Sequence, residues 1–349
     1  MLAILSNKEV FMSNMRTLIG SGCGFGMINL RDIRDARETI RDLVERTPLA
    51  YSRFLSDFCG GEVYLKLENL QITSSFKIRG ALNKMLHLSA EEIRRGVVTA
   101  SAGNHALAVA IGAEKLSLSV KIVVPKSTPK VKIDKIRKYN VELILHGDIY
   151  DEAELKAIDL AKSEGLTYIS PYNDRMVVAG QGTVGLEILE DLPSVDVVMV
   201  PVGGGGLISG VSVAVKSIKS SVQVVGVQSE ASPVMYESLK AGKMVDVKMR
   251  ESIADGLFGG IEKDSITFGI AQKYVDDFLL VTEKTIRKAI FLLWEKERQV
   301  AEGAGAVSIA PIIEKKGLFT GKKIAAVISG GNIENDLFRN ILASETTKE

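Results

Sequence analysis

Residues 197–206 read VVMVPVGGGG, and the chain continues from Leu207 as LISGVSVAVKSI. Val197, Val198, Met199 and Val200 show no alternation of apolar and polar residues, the pattern of a strand covered on both faces. Pro201 and the glycines Gly203, Gly204, Gly205 and Gly206 end the run, and an apolar helical pattern starts at once. Strand, tight turn and helix in immediate succession make one unit of a parallel α/β fold. Four consecutive glycines are entropically expensive to order, so a loop with a ligand is favoured over a slack one. Several bare N–H groups ahead of a helix dipole suit a phosphate. No Lys-Ser or Lys-Thr pair follows, so the loop is not a nucleotide P-loop.

The same alternation extends outward. Further strands are predicted at Val63–Leu67, Gly96–Thr99, Val120–Val124, Val141–Leu145, Val195–Val200, Val222–Val227, Phe278–Val281 and Lys323–Ile328. Amphipathic stretches such as Ile149–Ser163 and Thr282–Arg298 separate them, and Ile33, Ala36, Ile40, Leu43 and Val44 share one helical face before Thr47-Pro48. The fold class is α/β, with mostly parallel, open sheets covered by helices.

Composition narrows the function. With 349 residues, 46% of them apolar, the chain buries a large core and predicts two domains. Charge is balanced at 44 basic against 43 acidic residues, which implies no nucleic-acid partner. Cys23 and Cys59 follow no metal or redox spacing, and His87, His105 and His146 are scattered. Val197 to Val215 carries no charge, but Pro201 and the glycines break it, so no membrane span is expected. No secretory pattern opens the sequence, and a cytoplasmic protein is the expectation.

Four other stretches bear on chemistry. Ser74–Ala81 reads SSFKIRGA, with Lys77 behind Phe76 where an apolar helix begins. A lysine drawn into an apolar site loses solvation and becomes a nucleophile or base, although a solvated surface lysine is the commoner case. Ser101-Ala102-Gly103-Asn104-His105-Ala106 follows a predicted strand and offers small residues and helix-start N–H groups to a carboxylate. Ser329-Gly330-Gly331-Asn332 follows the last strand. Open α/β sheets gather ligands at such strand ends. Gly180-Gln181-Gly182-Thr183-Val184-Gly185 matches a dinucleotide fingerprint in letters only, since no strand precedes it and no acid follows where the ribose needs one. Tight helix packing is the expected role there. A phosphate cradle, a carboxylate cradle and a lone lysine together point to pyridoxal phosphate, whose aldehyde needs an amine.

SSFKIRGA, SAGNHA, AGQGTVGLEIL, VPVGGGGLISG, VAEGAGAVSIAP and ISGGN resemble, in order, the motifs of fold-type-II pyridoxal-phosphate enzymes. The resemblance runs from about Leu30 to Ile341 and is specific to the threonine/serine dehydratase and serine racemase branch. It implies two open sheets: a larger cofactor-binding domain from 28–95 and 167–345, and a smaller mobile domain, 96–166, with 1–27 a flexible extension. It makes Lys77 the covalent anchor of pyridoxal 5′-phosphate and Phe76 a packing partner of the ring. Asn104 then meets the cofactor's ring oxygen, Gly203 to Gly206 its phosphate, and Ser329 its ring nitrogen. Gly256 and Glu302 line the cofactor pocket, and Ser101, Ala102, Gly103, Asn104, His105 and Tyr172 belong to the substrate side. Arg79 is left to a structural ion pair.

The implied activity is elimination from L-threonine or L-serine to a 2-oxo acid and ammonia by a homodimer or homotetramer. The chain ends soon after ISGGN, which suggests a catabolic-type enzyme without a regulatory domain. Two features depart from the branch. Racemising relatives carry a serine where this chain has Ala102, and their divalent-metal carboxylates fall near Gln228 and Val234, with Glu230 close by. A monovalent or divalent cation held by backbone carbonyls stays open. Tyr172 stands where dehydratases usually have phenylalanine, which leaves the substrate preference open. A 3-hydroxyaspartate dehydratase or a serine racemase are the alternatives within the family. A nicotinamide oxidoreductase or a non-catalytic cofactor-binding module are those outside it.

Overall fold

The computed structural model describes residues 28–346, so the expected extension 1–27 lies outside the described residues. Ten strands form two sheets. They are β1 (Leu49–Ser52), β2 (Glu62–Leu67), β3 (Val97–Ala100), β4 (Val120–Val124), β5 (Glu142–Leu145), β6 (Thr167–Tyr168), β7 (Val197–Pro201), β8 (Gln223–Ser229), β9 (Asp277–Val281) and β10 (Lys323–Ile328). The larger sheet has the order β1-β2-β10-β7-β8-β9 and the smaller β5-β4-β3-β6. Every pairing is parallel except that of β1 with β2.

All eight predicted strands are present within a few residues. The two additional ones are short. LAYS in β1 follows Pro48 as a mostly half-buried antiparallel edge, and it shows neither a continuous β-branched run nor an alternation of apolar and polar residues. β6 is two residues long and exists because β3 recruits it: Thr167 N donates to Gly96 O and Ile169 N to Val98 O. This carries the smaller sheet past the expected boundary at 166.

β7 is buried along its whole length and feeds the glycines and the helix Gly206–Ile218. Among the described residues no helix is long and apolar enough to cross a membrane. The hexapeptide Gly180–Gly185 sits inside the helix Arg175–Asp191 rather than at a strand–helix turn. A Cβ on Gly180 would lie 2.5 Å from Arg79 O, and one on Gly182 would lie 2.9 Å from Gly210 O. These glycines let three helices touch backbone to backbone, as expected, and no dinucleotide site is built on them.

Where those helices meet, four charged side chains are buried together. Arg79 in the helix Lys77–Leu86 donates to both oxygens of Glu68 at 2.8 Å. It also donates to Glu187 at 2.6 and 2.9 Å, to Thr183 Oγ1 at 3.1 Å and to the Glu45 carbonyl at 3.1 Å. Lys66 on β2 bonds Glu187 from the other side and the Thr47 carbonyl at 2.6 Å. All four are buried. Removing one member leaves buried charge without compensation, which typically costs about 3–5 kcal/mol. Arg79→Met is therefore expected to lower the unfolding free energy by about 3–5 kcal/mol, read as a lower denaturant midpoint at unchanged slope. An unchanged midpoint would mean that the network carries no net stability.

Candidate active site

In the larger sheet β2, β10 and β7 are neighbours, so the turns after them converge. The lysine loop is sewn to the end of β10: Phe76 N donates to Ser329 O at 3.1 Å and Gly331 N to Ser74 O at 2.9 Å. Ser75 and Gly330 form an antiparallel bridge, and Ser74 takes a left-handed φ of 55° to make the approach. From the smaller sheet, β3 delivers Ser101–Gly103 and the start of the helix Asn104–Leu116 to the same place. Between them lies a cavity of about 320 Å³. Every residue nominated from the sequence lines it: Phe76, Lys77, Ser101, Ala102, Gly103, Asn104, His105, Tyr172, Gly203, Gly204, Gly205, Gly206, Gly256, Glu302 and Ser329.

Lys77 is the first residue of its helix. Its Nζ donates to the Pro171 carbonyl at 2.9 Å and lies 5.2 Å from the centre of the Phe76 ring. Burial draws its pKa down to about 8, against the opposing pull of the Glu302 charge. His105 is buried, with Nε2 donating to Ile169 O at 3.0 Å and Nδ1 unpartnered. Burial, then the Lys77 charge, hold its pKa at about 3 against that hydrogen bond, so the imidazole is neutral at working pH.

Glu302 is also buried and accepts a hydrogen bond from Asn104 Nδ2 at 2.6 Å. Desolvation, then the charge of Asp255, push its carboxyl up to about 7, with the Asn104 bond and Lys132 pulling the other way. Ser329 is buried, and its hydroxyl donates to Ala304 O over a long 3.3 Å.

The glycine loop is closely packed from outside. Cβ atoms on Gly203 and Gly204 would meet Leu257 Cα at 3.0 Å and the Tyr172 ring at 2.5 Å. Gly205 has φ 86°, open only to glycine without strain. The Gly204 carbonyl is held by Thr267 Oγ1 at 2.7 Å, and the N–H groups of Gly203, Gly204 and Gly205 make no backbone hydrogen bond among the described residues. Tyr172 leans its ring on this loop while its hydroxyl accepts from Glu262 N at 3.1 Å.

Several lining residues were not nominated from the sequence. Lys132 reaches Asp255 at 2.7 Å and Glu334 at 3.6 Å. Tyr150 and the Pro171 carbonyl also line the cavity. Asp255 precedes Gly256, which was named, and could have been read with it, whereas Lys132 lies in no motif. Gln228, near where racemising relatives carry a metal carboxylate, is spoken for: it accepts from Tyr236 N at 2.8 Å and donates to Ser232 O at 3.4 Å. Among the described residues no three or more His, Cys, Asp or Glu side chains cluster as a metal site.

This arrangement fits pyridoxal phosphate. An amine with a depressed pKa suits an aldehyde, an aromatic wall beside it suits a ring, and three unspent N–H groups ahead of a helix suit a phosphate. Residues 40–330 match the family described as pyridoxal-phosphate dependent enzymes. The chain belongs to that family. It is 50% identical over 317 residues to the L-threonine ammonia-lyase of Thermotoga maritima, covering 90% of this chain and 78% of that protein. The processed threonine deaminase isoform 2 of Solanum lycopersicum superposes with a TM-score of 0.85 at 36% identity, covering 90% of this chain and 92% of the other. Maize serine racemase gives the same TM-score at 30% identity, over 92% and 98% of the two chains.

For this pyridoxal-phosphate enzyme the depressed lysine has a direct readout. Only a neutral amine attacks an aldehyde, so attachment of the cofactor to apoprotein is expected to accelerate as pH rises through about 8. An unperturbed lysine would require about two further pH units. Borohydride reduction and peptide mapping are expected to place the pyridoxyl group on Lys77, and Lys77→Ala to abolish it. A reduced pyridoxyl group on another lysine would overturn the assignment.

Proposed function

We propose that this chain is a threonine/serine ammonia-lyase, converting L-threonine to 2-oxobutyrate and L-serine to pyruvate, each with release of ammonia. The observation that carries the reading is the meeting in one cavity of a desolvated Lys77, the Gly103–Asn104 helix start and an uncharged Ser329. The 50% identity to a protein named as an L-threonine ammonia-lyase supports it.

Lys77 holds the cofactor, Gly203 to Gly206 its phosphate, Asn104 its ring oxygen and Ser329 its ring nitrogen, with Phe76, Gly256 and Glu302 packed around it. When bound, pyridoxal phosphate supplies the aldehyde that captures the substrate amine and the conjugated ring that takes up the electron pair left on Cα. Backbone N–H groups of the Ser101–His105 turn hold the substrate carboxylate at a helix N-terminus. The Lys77 amine, half neutral at its pKa of about 8 and more so above it, accepts the Cα proton. The β-hydroxyl leaves with a proton as water, which balances the proton taken from Cα, and hydrolysis of the released enamine then consumes one water and frees ammonia.

Ser329 sets the direction of the chemistry. Its hydroxyl is loosely committed to Ala304 O and turns at little cost, but it has no charge with which to keep a proton on the ring nitrogen. An unprotonated ring is the weaker electron sink, which favours prompt loss of a β-leaving group over transamination. Residues 96–166 form a unit that closes over the bound amino acid, consistent with its delivery of the carboxylate turn to the cavity.

Ala102 separates this reading from racemisation. Lys77 works on one face of Cα, and inversion needs a proton donor on the other. The position that the resemblance gives to that donor is Ala102, a half-buried methyl group with no proton to offer. L-threonine and L-serine are expected to release oxo acid, and serine recovered part-way to contain little D-enantiomer by chiral chromatography. Ala102→Ser is expected to raise the D-serine yield, by up to on the order of a hundredfold if the hydroxyl acts as a placed acid. Abundant D-serine from the unmodified protein would replace the lyase reading with a racemase.

A further inference from the structure

Asn332 closes the turn after β10, and nothing in the proposed chemistry uses it. Its side chain is nevertheless tied on two sides. Nδ2 donates to the Thr73 carbonyl at 2.9 Å and to Asn104 Oδ1 at 2.8 Å, while Asn104 Nδ2 donates to Glu302 Oε1 at 2.6 Å.

The two ends of an amide side chain are nearly alike in shape, so partners decide which end is nitrogen. The decision here starts from a main-chain group. A carbonyl only accepts, so the end of Asn332 facing Thr73 is the NH₂ group. The second hydrogen of that group points at Asn104, so the end of Asn104 it meets is the carbonyl oxygen. Asn104 Nδ2 must then face Glu302 and the cavity that both residues line. Glu302 does not enforce this by itself. With a pKa of about 7 its carboxyl is partly protonated at neutral pH, and a protonated carboxyl donates as readily as it accepts. Either orientation of Asn104 would satisfy it.

We propose that Asn332 is a positioning residue that fixes the Asn104 amide, so that an N–H donor and not a carbonyl oxygen is presented to the ring oxygen of the cofactor. This rests on the proposed contact of Asn104 with that oxygen. A donor favours the ionised form of a phenolic oxygen and an acceptor opposes it.

Asn332→Asp replaces the double donor with an acceptor of the same shape and reverses the demand on Asn104. In the holoenzyme its visible absorption maximum is expected to move, and the midpoint of its pH titration to rise. Its kcat should fall about tenfold, the equivalent of one hydrogen bond to a charged partner, with KM little changed. Asn332→Ala, which frees Asn104 without imposing a new orientation, decides the matter if the first variant does not fold, and a smaller shift in the same direction is expected. Asn104→Ala serves as the reference. If its spectrum shifts and those of the Asn332 variants match wild type, the positioning role is wrong while the Asn104 contact stands. If neither moves, the contact itself fails and this inference with it. Lost activity with an unaltered spectrum and titration would reduce Asn332 to a merely structural role.

Discussion

The guanidinium of Arg79, buried between Glu68 and Glu187, is the constraint on which the site depends. Glu68 follows β2, Glu187 sits in the glycine-containing helix, and Arg79 is two residues beyond Lys77. A planar fork bonded on both sides leaves the helix Lys77–Leu86 little freedom to rotate or slide. Helix rotation would carry Lys77 out of the cavity and break hydrogen bonds to buried carboxylates at once. Burying four charges is costly in itself, and an apolar substitute for the whole set could match it in stability. What an apolar cluster would not supply is direction. Gly80 and Gly180 press two helix backbones together beside the same network, so spacing and rotation are fixed by adjoining contacts.

The two cations of FKIRG thus have opposite environments within one helical turn. Arg79 is surrounded by carboxylates, whereas Lys77 has a carbonyl, an aromatic face and a more distant Glu302. Desolvation with little compensation lowers a lysine pKa, and desolvation with full pairing holds an arginine charged. The helix therefore presents a reactive amine at its start and an anchor one step inside.

The parts of this arrangement that a sequence reveals are those with a local cause. Apolar runs marked eight of the strands, and small residues after β3, β7 and β10 marked the junctions that line the cavity, because a close backbone approach leaves few other choices of residue. The roles of Lys77, Asn104 and Ser329 came from the resemblance, since a lone lysine or serine carries no such mark. What stayed hidden depends on distant partners. Edge strand β1 and two-residue β6 exist because β2 and β3 offer them hydrogen bonds. Arg79 could be read as half of an ion pair, but Glu187 lies 108 positions along the chain and Glu68 only 11 before it. Asn332 was visible in ISGGN, yet its meaning arises at Thr73 and Asn104, which are close only after folding.

Rigidity and looseness are distributed accordingly around the cavity. Behind Lys77 the joints are buried, multiple and backbone-to-backbone. In front, the link between the helix Lys130–Ile136 and the opposite wall is Lys132 with Asp255 and Glu334, whose carboxylates are 60% and 43% exposed. Pairs so open to water are worth about 0–1 kcal/mol each. These ion pairs are a minor joint, because the same helix also buries Ile133 and Ile136, and Ile136 shares one core with Ile78, Leu82 and Met85 of the Lys77 helix. The charge of Lys132 also reaches the interior, where it opposes the rise in the Glu302 pKa that burial and Asp255 cause. Beside a carboxyl that can both donate and accept, an amide tied from behind by Asn332 keeps its N–H toward the cavity in either protonation state of Glu302.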